Sequence, residues 1–226
     1  MVEVLRAAAQ QVDGAQVGSE IETGSLIVSS AAATVPGAEH AGVSLLYADG
    51  RIESQAVSDD AVSAVDELQA QFREGPCVTA LWDEHTVLVE DMTVEVRRWP
   101  RFAPAAVESG VGSMLSFQLF ARNSSLGALN LYARQPGSFG AEARTLGGLF
   151  AMHAAASLGE ARHVAQLQEA LASRDVIGQA KGILMERFGI DAEQAFNMLA
   201  RSSQETNMKL TAVARWLSGS EPEPGR

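Results

Sequence analysis

Cationic and hydroxyl side chains near the C-terminal end are the residues of this 226-residue chain whose types and spacing best suit binding chemistry. Arginine and lysine bind nucleic-acid phosphates, and serine hydroxyls add hydrogen bonds to phosphate or ribose. The five cations and two serines are Arg174, Lys181, Arg187, Arg201, Lys209, Ser202 and Ser203. Gly182 directly follows Lys181 and leaves room for a close backbone approach. Turns that gather these side chains would create a local nucleic-acid site.

The overall charge requires that any such site be local. The net charge is −11, and an acidic chain repels a polyanion, so it has no general affinity for DNA or membranes. Residues 161–217 hold seven basic and six acidic residues, whereas residues 1–160 hold nine basic and twenty acidic. In the alternative interpretation the cations only form surface ion pairs, with Asp175, Glu186, Glu193 and Glu205.

Three short helices are predicted between residues 167 and 217, and they must share one small core. In the first, one apolar stripe with polar intruders recurs at helical spacing; it consists of Leu167, Leu171, Arg174, Ile177, Gly178, Lys181, Leu184, Met185 and Phe188. Gly189 can close this helix. Asp191 with Gln194 forms a capping box for the second, which is expected to bury Ala195, Phe196, Met198 and Leu199. Asn207 suits the next break, and the third stripe is Leu210, Val213, Ala214 and Leu217.

Residues 180–214, AKGILMERFGIDAEQAFNMLARSSQETNMKLTAVA, resemble an ANTAR domain, the RNA-binding output module of bacterial antiterminators. The residues at the family's characteristic places are Arg174, Ala180, Lys181, Gly182, Met185, Ala195, Leu199, Lys209 and Ala214. The resemblance implies RNA contacts by Arg174, Lys181, Gly182, Arg201, Ser202, Ser203 and Lys209, and the charge pattern adds Arg187 to the candidate RNA-binding residues. It also implies a dimer that binds paired stem-loops in nascent leader RNA, so that a competing terminator hairpin cannot form.

The N-terminal two thirds predict an α+β unit. Residues 1–18 are expected to be a tail or short helix, and residues 19–35 a helix that stops at Pro36-Gly37. Asp49-Gly50 lies between two short apolar runs, 41–47 and 51–57, which is a hairpin signal. A helix over 58–72, a short strand at 87–89, a helix near 102–107 and two long strands at 113–121 and 126–133 follow. The expected fold is an antiparallel sheet flanked by helices.

Several segments of residues 38–158 resemble a GAF domain, a small-molecule-sensing and dimerising fold. They are AGVSLLYADGRI, LQAQFREGPC, VLVEDM, WPRFAPAAVESGVGSMLSFQLF and LGALNLYARQPGSF. We therefore assign residues 19–158 to a GAF-like sensor and 167–217 to the ANTAR bundle. The combination resembles bacterial antitermination regulators of the actinobacterial type. A ligand pocket is expected among Phe72, Cys77, Trp82, Trp99, Phe102, Met114 and Phe117; the alternative is that these side chains only fill the core.

A connecting helix is predicted over residues 141–171, overlapping both domains. Its heptad stripe predicts a coiled-coil dimer seam; the stripe is Leu146, Phe150, His153, Ser157, Glu160, Val164, Leu167 and Leu171. The alternative is that an alanine-rich face of this helix packs on its own sheet. The polar tail, residues 218–226, is predicted to be disordered.

Catalysis, metal binding and a cofactor are not expected. Cys77 is the only cysteine, which excludes an internal disulfide and a thiolate cluster, and the four histidines lack metal-ligand spacing. No apolar run reaches about 18 residues, and the N-terminus lacks signal-peptide features, so a cytoplasmic location without membrane contact is expected. The expected partners are RNA, an unidentified small molecule and a second copy of the chain. The rival interpretation is a ligand-gated dimeric sensor that acts through a protein partner rather than RNA.

Overall fold

Two compact units make up the part of the chain described by the computed structural model, which covers residues 19–121 and 124–219. The division falls between His163 and Val164. The predicted N-terminal tail, residues 1–18, and residues 220–226 of the predicted tail 218–226 lie outside the described residues. No helix within the described ranges has the length and apolarity needed to span a bilayer.

The first unit is built on a five-stranded antiparallel sheet with strand order β2-β1-β5-β4-β3. The strands are β1 (His40–Leu46), β2 (Ile52–Val57), β3 (Thr86–Val89), β4 (Ser113–Ala121) and β5 (Ser124–Ala133). The predicted hairpin turn is confirmed, and Gly50 adopts the positive φ of 81° that favours glycine at such a turn. β5 begins two residues earlier than predicted, because Ser124 and Ser125 pair with β4.

Local capping signals define the helices of this unit. They are α1 (Glu20–Thr34), α2 (Asp60–Phe72), α3 (Pro76–Trp82), a 3-10 helix (Met92–Arg97), α4 (Phe102–Glu108) and the start of α5 (Ala141–Phe188). Ser19 and Glu22 form a reciprocal capping box at α1, and the Asp59 carboxylate accepts a hydrogen bond from the Ala61 N–H at α2.

Each face of the sheet has its own core, because side chains alternate along the strands. Leu115, Phe117 and Leu119 of β4 pack with apolar residues of α1 and α5. Met114 of β4 instead packs in a second cluster, which α2, α4 and the 3-10 helix complete. This second face also carries buried polar residues, and they form the cluster described below.

Helix α5 runs without a break from Ala141 to Phe188, so the predicted connecting helix and the first predicted C-terminal helix are one element. Its first part packs on its own sheet through alanines, including Ala151 and Ala154, as the alternative interpretation proposed. The predicted dimer seam is therefore wrong at Leu146 and Phe150. Both side chains are buried within their own unit, where Phe150 belongs to the sheet core.

The second unit consists of the C-terminal part of α5, α6 (Ala192–Thr206) and α7 (Leu210–Leu217). Its core contains Ala180, Leu184, Ala195, Leu199, Val213 and Ala214. Gly189, with φ 64°, ends α5, and the predicted Asp191–Gln194 capping box begins α6. Asn207, in the left-handed conformation, ends α6 as predicted.

Burial in this small core differs from the predicted pattern. Phe196 and Met198 are exposed, because only the face with Ala195 and Leu199 meets the other helices. In α5 the residues that form the core or pack against it are Val176, Ile177, Ala180 and Leu184. Six of the nine residues of the predicted stripe are consequently on the surface, namely Leu167, Leu171, Arg174, Gly178, Met185 and Phe188. The polar intruders in that stripe marked an exposed face of the helix.

Candidate nucleic-acid interface and buried polar cluster

Arg174 and Lys181 lie on the same face of α5, since seven residues return a helix to nearly the same side. Arg174 is exposed and Lys181 is half-buried. Within the described residues, neither side chain forms an ion pair, although Asp175 and Glu186 are on the same helix. The surface-pairing alternative therefore does not describe these two cations, which remain available to an anionic partner.

The other predicted cations occupy different environments. Arg201 pairs with Glu205 one turn along α6, with 3.1 Å between Nε and the carboxylate oxygen. This pair is highly exposed, so it contributes little stability and does not prevent either side chain from binding another group. Arg187 is exposed in the last turn of α5, and Lys209 is the exposed residue that precedes α7.

The predicted serine contacts belong partly to the turn between α6 and α7. The Ser203 hydroxyl donates a hydrogen bond of 2.5 Å to the Met208 carbonyl, which fixes this turn. Ser202 is half-buried, and its carbonyl accepts a hydrogen bond of 2.7 Å from the Thr206 hydroxyl. Gly182 is exposed, and a Cβ atom added there would meet nothing within 4 Å. A close approach to the backbone at Gly182 is thus sterically open.

The seven predicted pocket residues do not line one common cavity. Trp99, Phe102 and Met114 belong to the core on one face of the sheet, while Phe117 belongs to the core on the other face. Cys77 is buried in a small separate cluster with Leu81 and Ala128. The ring of Phe72 is partly buried against the core that contains Trp99, Phe102 and Met114. The Arg101 guanidinium covers this ring. The remaining member, Trp82, is 61% exposed.

Trp82 lines an open cleft of about 550 Å³ between the β1–β2 hairpin and helices α2 and α3. The lining residues are Asp49, Gly50, Arg51, Ile52, Glu53, Ala70, Arg73, Val78 and Trp82. Arg51 is held by ion pairs to the carboxylates of Asp49 and Glu53. Arg73 ends α2 in the left-handed conformation, with φ 55°. The cleft thus combines an exposed aromatic ring with charged groups, as small-molecule sites do.

A buried polar cluster centred on Asp66 lies between the sheet and α2. Asp66 is 4% exposed, and its Oδ1 accepts hydrogen bonds from Tyr132 Oη and, at 2.9 Å, from Asn130 Nδ2. Ser54 donates to Oδ2 over 3.3 Å, and Gln69 Oε1 accepts a hydrogen bond of 2.8 Å from the Cys77 N–H. Gly42 leaves room for this carboxylate, because a Cβ atom there would lie 2.5 Å from Asp66 Oδ2 and the carboxylate would have to shift.

No cation neutralises Asp66 within the described residues, so its electrostatics depend on burial and neutral donors. Burial raises the pKa of Asp66 from 3.8 to about 6, against the lowering effect of its hydrogen bonds. Burial and the nearby Asp66 charge raise the pKa of the Cys77 thiol to about 12 and hold the pKa of Tyr132 well above 10.0. Cys77 is therefore a neutral thiol at physiological pH rather than a nucleophile.

The sequence analysis did not find this cluster, although one local signal was present. Asp66 and Gln69 follow Val62 and Val65 at helical spacing, so two polar residues lie on the buried face of α2. Polar residues at buried helical positions require hydrogen-bond partners. Those partners, Asn130 and Tyr132, are 64 and 66 residues away in the chain, and no local pattern connects them.

Solved structures with the same arrangement of strands and helices define the class of the first unit. A GAF domain of a phosphoenolpyruvate-protein phosphotransferase from Coxiella burnetii superposes with a TM-score of 0.57, covering 73% of this chain and 96% of that chain at 19% identity. The free methionine-R-sulfoxide reductase from Neisseria meningitidis gives a TM-score of 0.55, covering 72% of this chain and 90% of that chain at 16% identity. At such identities the likeness establishes the GAF fold and not a shared activity.

Sequence profiles identify both units. The GAF domain profile matches residues 18–158, and the ANTAR domain profile matches residues 165–217. The chain belongs to the GAF domain family and carries an ANTAR domain in its second unit. It is also 39% identical over 57 residues to the aliphatic amidase regulator of Pseudomonas aeruginosa. That match spans 25% of this chain and 29% of the regulator's length.

Proposed function

We propose that this protein is an RNA-binding transcription antitermination regulator with a GAF sensory unit. The observation that carries the proposal is the pair formed by Arg174 and Lys181 on one face of α5, inside the segment that matches the ANTAR domain. The partial similarity to an amidase regulator supports a regulatory role. A regulator of nascent bacterial transcripts acts in the cytoplasm. Enzymatic activity is not part of the proposal, because the buried Cys77 is a neutral thiol.

The proposed RNA partner is a pair of stem-loops in a leader transcript. Sequence-specific RNA readers act mainly on single-stranded loops, whose bases are accessible, and two loops suit two reading units. Arg174, Lys181 and Lys209 would contact phosphates, while Gly182 allows the backbone to come close. Arg201 would exchange its exposed pair with Glu205 for a phosphate at small cost.

A homodimer would supply the two reading units. Leu149 and Met152 are exposed on α5 at three-residue spacing, and the next residue on that side, Ala156, is also exposed. Exposed apolar side chains at such spacing are typical of helix-helix seams. These residues replace Leu146 and Phe150 as the proposed contact, because the latter two side chains are buried within their own unit.

The proposed input is a small molecule bound by the first unit, in the cleft beside Trp82. Its volume of about 550 Å³ is within the usual range for small-molecule sites, and Trp82 offers an exposed ring for stacking. Native mass spectrometry of protein purified from its own host, compared with a Trp82→Ala variant, tests this. We expect a retained mass that the variant lacks. Absence of any retained mass, or equal retention by the variant, would argue against the cleft.

The RNA proposal is tested by titrating an RNA with two tandem hexaloop stems into the wild-type protein and a Lys181→Ala variant. A scrambled RNA and an RNA with one stem are the controls. We expect preferential binding of the tandem RNA by two protein subunits, with weaker binding by the variant. Equal binding of the tandem and scrambled RNAs would defeat the proposal. A partner captured from lysate that survives RNase treatment would favour the rival protein-binding function.

A further inference from the structure

Five residues form one continuous stripe along the C-terminal part of α5, hereafter the 174–188 stripe: Arg174, Gly178, Lys181, Met185 and Phe188. Arg174, Lys181 and Phe188 are separated by seven residues each, which places them on one side of the helix. The core of the unit uses a different side of α5, with Ala180 and Leu184. The stripe therefore lies beside the core-facing side of α5, with Lys181 half-buried and the other four residues exposed.

Phe188 is the least expected member of this stripe, because its large aromatic side chain is 55% exposed. It is the last residue of α5, and Gly189 turns the chain away with φ 64°. Along the stripe only Met185 lies between Phe188 and Lys181, and only Gly178 lies between Lys181 and Arg174. Phe188 is not among the residues that form the core of the unit or pack against it.

The charge of the 174–188 stripe indicates an anionic partner. It carries two cations and no carboxylate, and neither cation forms an ion pair within the described part of the chain. Asp175 and Glu186 each lie one residue after a stripe position, which rotates them about 100° around the helix. A stripe with cations and one exposed ring complements a single-stranded nucleic acid, whose phosphates and base faces meet those two groups.

We infer that Phe188 is the base-stacking platform of the RNA site, with an unpaired loop base lying on its ring while Arg174 and Lys181 hold the adjoining phosphates. This inference rests on the proposed RNA-binding function and extends it to a residue that the ANTAR resemblance did not assign. Stacking on a protein aromatic is tolerant of base identity, since every base has a π face. Phe188 would therefore contribute affinity for an unpaired loop and little discrimination between bases.

The test compares Phe188→Leu, which keeps apolar area but removes the π face, with Phe188→Tyr, which keeps it. Phe120→Leu is the matched control, because Phe120 is a phenylalanine of the first unit with a similar exposure of 54%. The probe is the tandem hexaloop RNA with 2-aminopurine in one loop, whose fluorescence reports stacking. We expect Phe188→Leu to bind roughly 5- to 150-fold more weakly and to lose the fluorescence change. Phe188→Tyr and Phe120→Leu should behave as the wild type.

Each other outcome has a defined meaning when Lys181→Ala is measured in parallel. If Lys181→Ala weakens binding and Phe188→Leu does not, the stacking role is refuted while the RNA function stands. If the wild type itself fails to distinguish the tandem RNA from a scrambled one, both proposals fall. If Phe188→Leu changes the mass of the assembly by native mass spectrometry, the ring belongs to a contact between subunits, and the stacking role is overturned.

Discussion

Replacing Asp66 with asparagine should change how the stability of the first unit depends on pH. The carboxyl has a pKa of about 6 in the folded protein against 3.8 ordinarily, because burial disfavours its charged form. A raised folded-state pKa means that the folded state holds the proton more tightly than the unfolded state. The stabilisation that the protonated Asp66 carboxyl gives to the folded state is therefore complete below pH 3.8. It is lost as the pH rises through about 6.

The magnitude follows from those two pKa values. A difference between 3.8 and about 6 corresponds to about 3 kcal/mol of unfolding free energy, since Asp66 is almost fully buried. About 2 kcal/mol of this falls between roughly pH 4.5 and roughly pH 7.5. Asparagine can keep the main hydrogen bonds, because its Oδ1 still accepts from Tyr132 and Asn130. Its Nδ2 then faces the Ser54 hydroxyl, which can accept a hydrogen bond.

The assay is urea unfolding at several pH values, followed by tryptophan fluorescence, to which the buried Trp99 contributes. We expect the stability of Asp66→Asn minus that of the wild type to rise by about 2 kcal/mol between roughly pH 4.5 and 7.5. Glu67→Gln is the control, because it removes an exposed carboxylate from the same helix without touching the cluster. A difference that stays constant with pH for Asp66→Asn would refute the electrostatic account of this cluster.

Four smaller perturbations test other parts of the structure. Leu199→Ala should cost the second unit about 2–5 kcal/mol of unfolding free energy, measured by urea denaturation, because it opens a cavity in a small core. Asp191→Ala should cost about 1 kcal/mol in the same assay through loss of the capping box. Gly75→Ala should destabilise the first unit by at least about 1–3 kcal/mol, because φ is 117° and a new Cβ would lie 2.6 Å from Gln69 Oε1. Cys77 should react with a thiol reagent only after unfolding; rapid labelling of the native protein would contradict its burial and raised pKa.

Local sequence signals predicted the elements of this fold well, because their causes are local. The Asp49-Gly50 hairpin, the capping box at Asp191 and the break at Asn207 each depend on a few adjacent residues. The order of strands and helices, together with the GAF and ANTAR resemblances, predicted the architecture, and the family profiles agree with it.

The choice of buried faces could not be read from periodicity alone. In α5 the same spacing fits an exposed stripe with Phe188 and a buried stripe with Ala180 and Leu184. Small alanines allow helices to pack closely. The face of α5 that contains Ala180 is therefore buried in the core, and the face with larger apolar side chains such as Phe188 is exposed. The heptad spacing of Phe150 likewise fits either a dimer seam or the core of its own unit, and the structure places its side chain in that core.

The candidate sites show the same limit. Arg174 and Lys181 were identified from residue type and the ANTAR resemblance, and their shared face follows from their spacing. The Asp66 cluster depends on contacts between residues more than sixty positions apart, which only the folded sheet brings together. The cleft beside Trp82 likewise arises from the packing of the β1–β2 hairpin against two helices.

The dependence of RNA affinity on salt tests the central claim most directly, because it counts phosphate contacts. We expect the slope of log affinity against log salt for the tandem hexaloop RNA to become shallower by about 0.7 for each cation removed. The Arg174→Ala, Lys181→Ala double variant should show this change. The charge-matched control, Arg97→Ala, Arg144→Ala, removes two exposed cations of the first unit and should retain the wild-type slope. Equal slopes for the wild type and the Arg174→Ala, Lys181→Ala variant would contradict the assignment of this face to RNA.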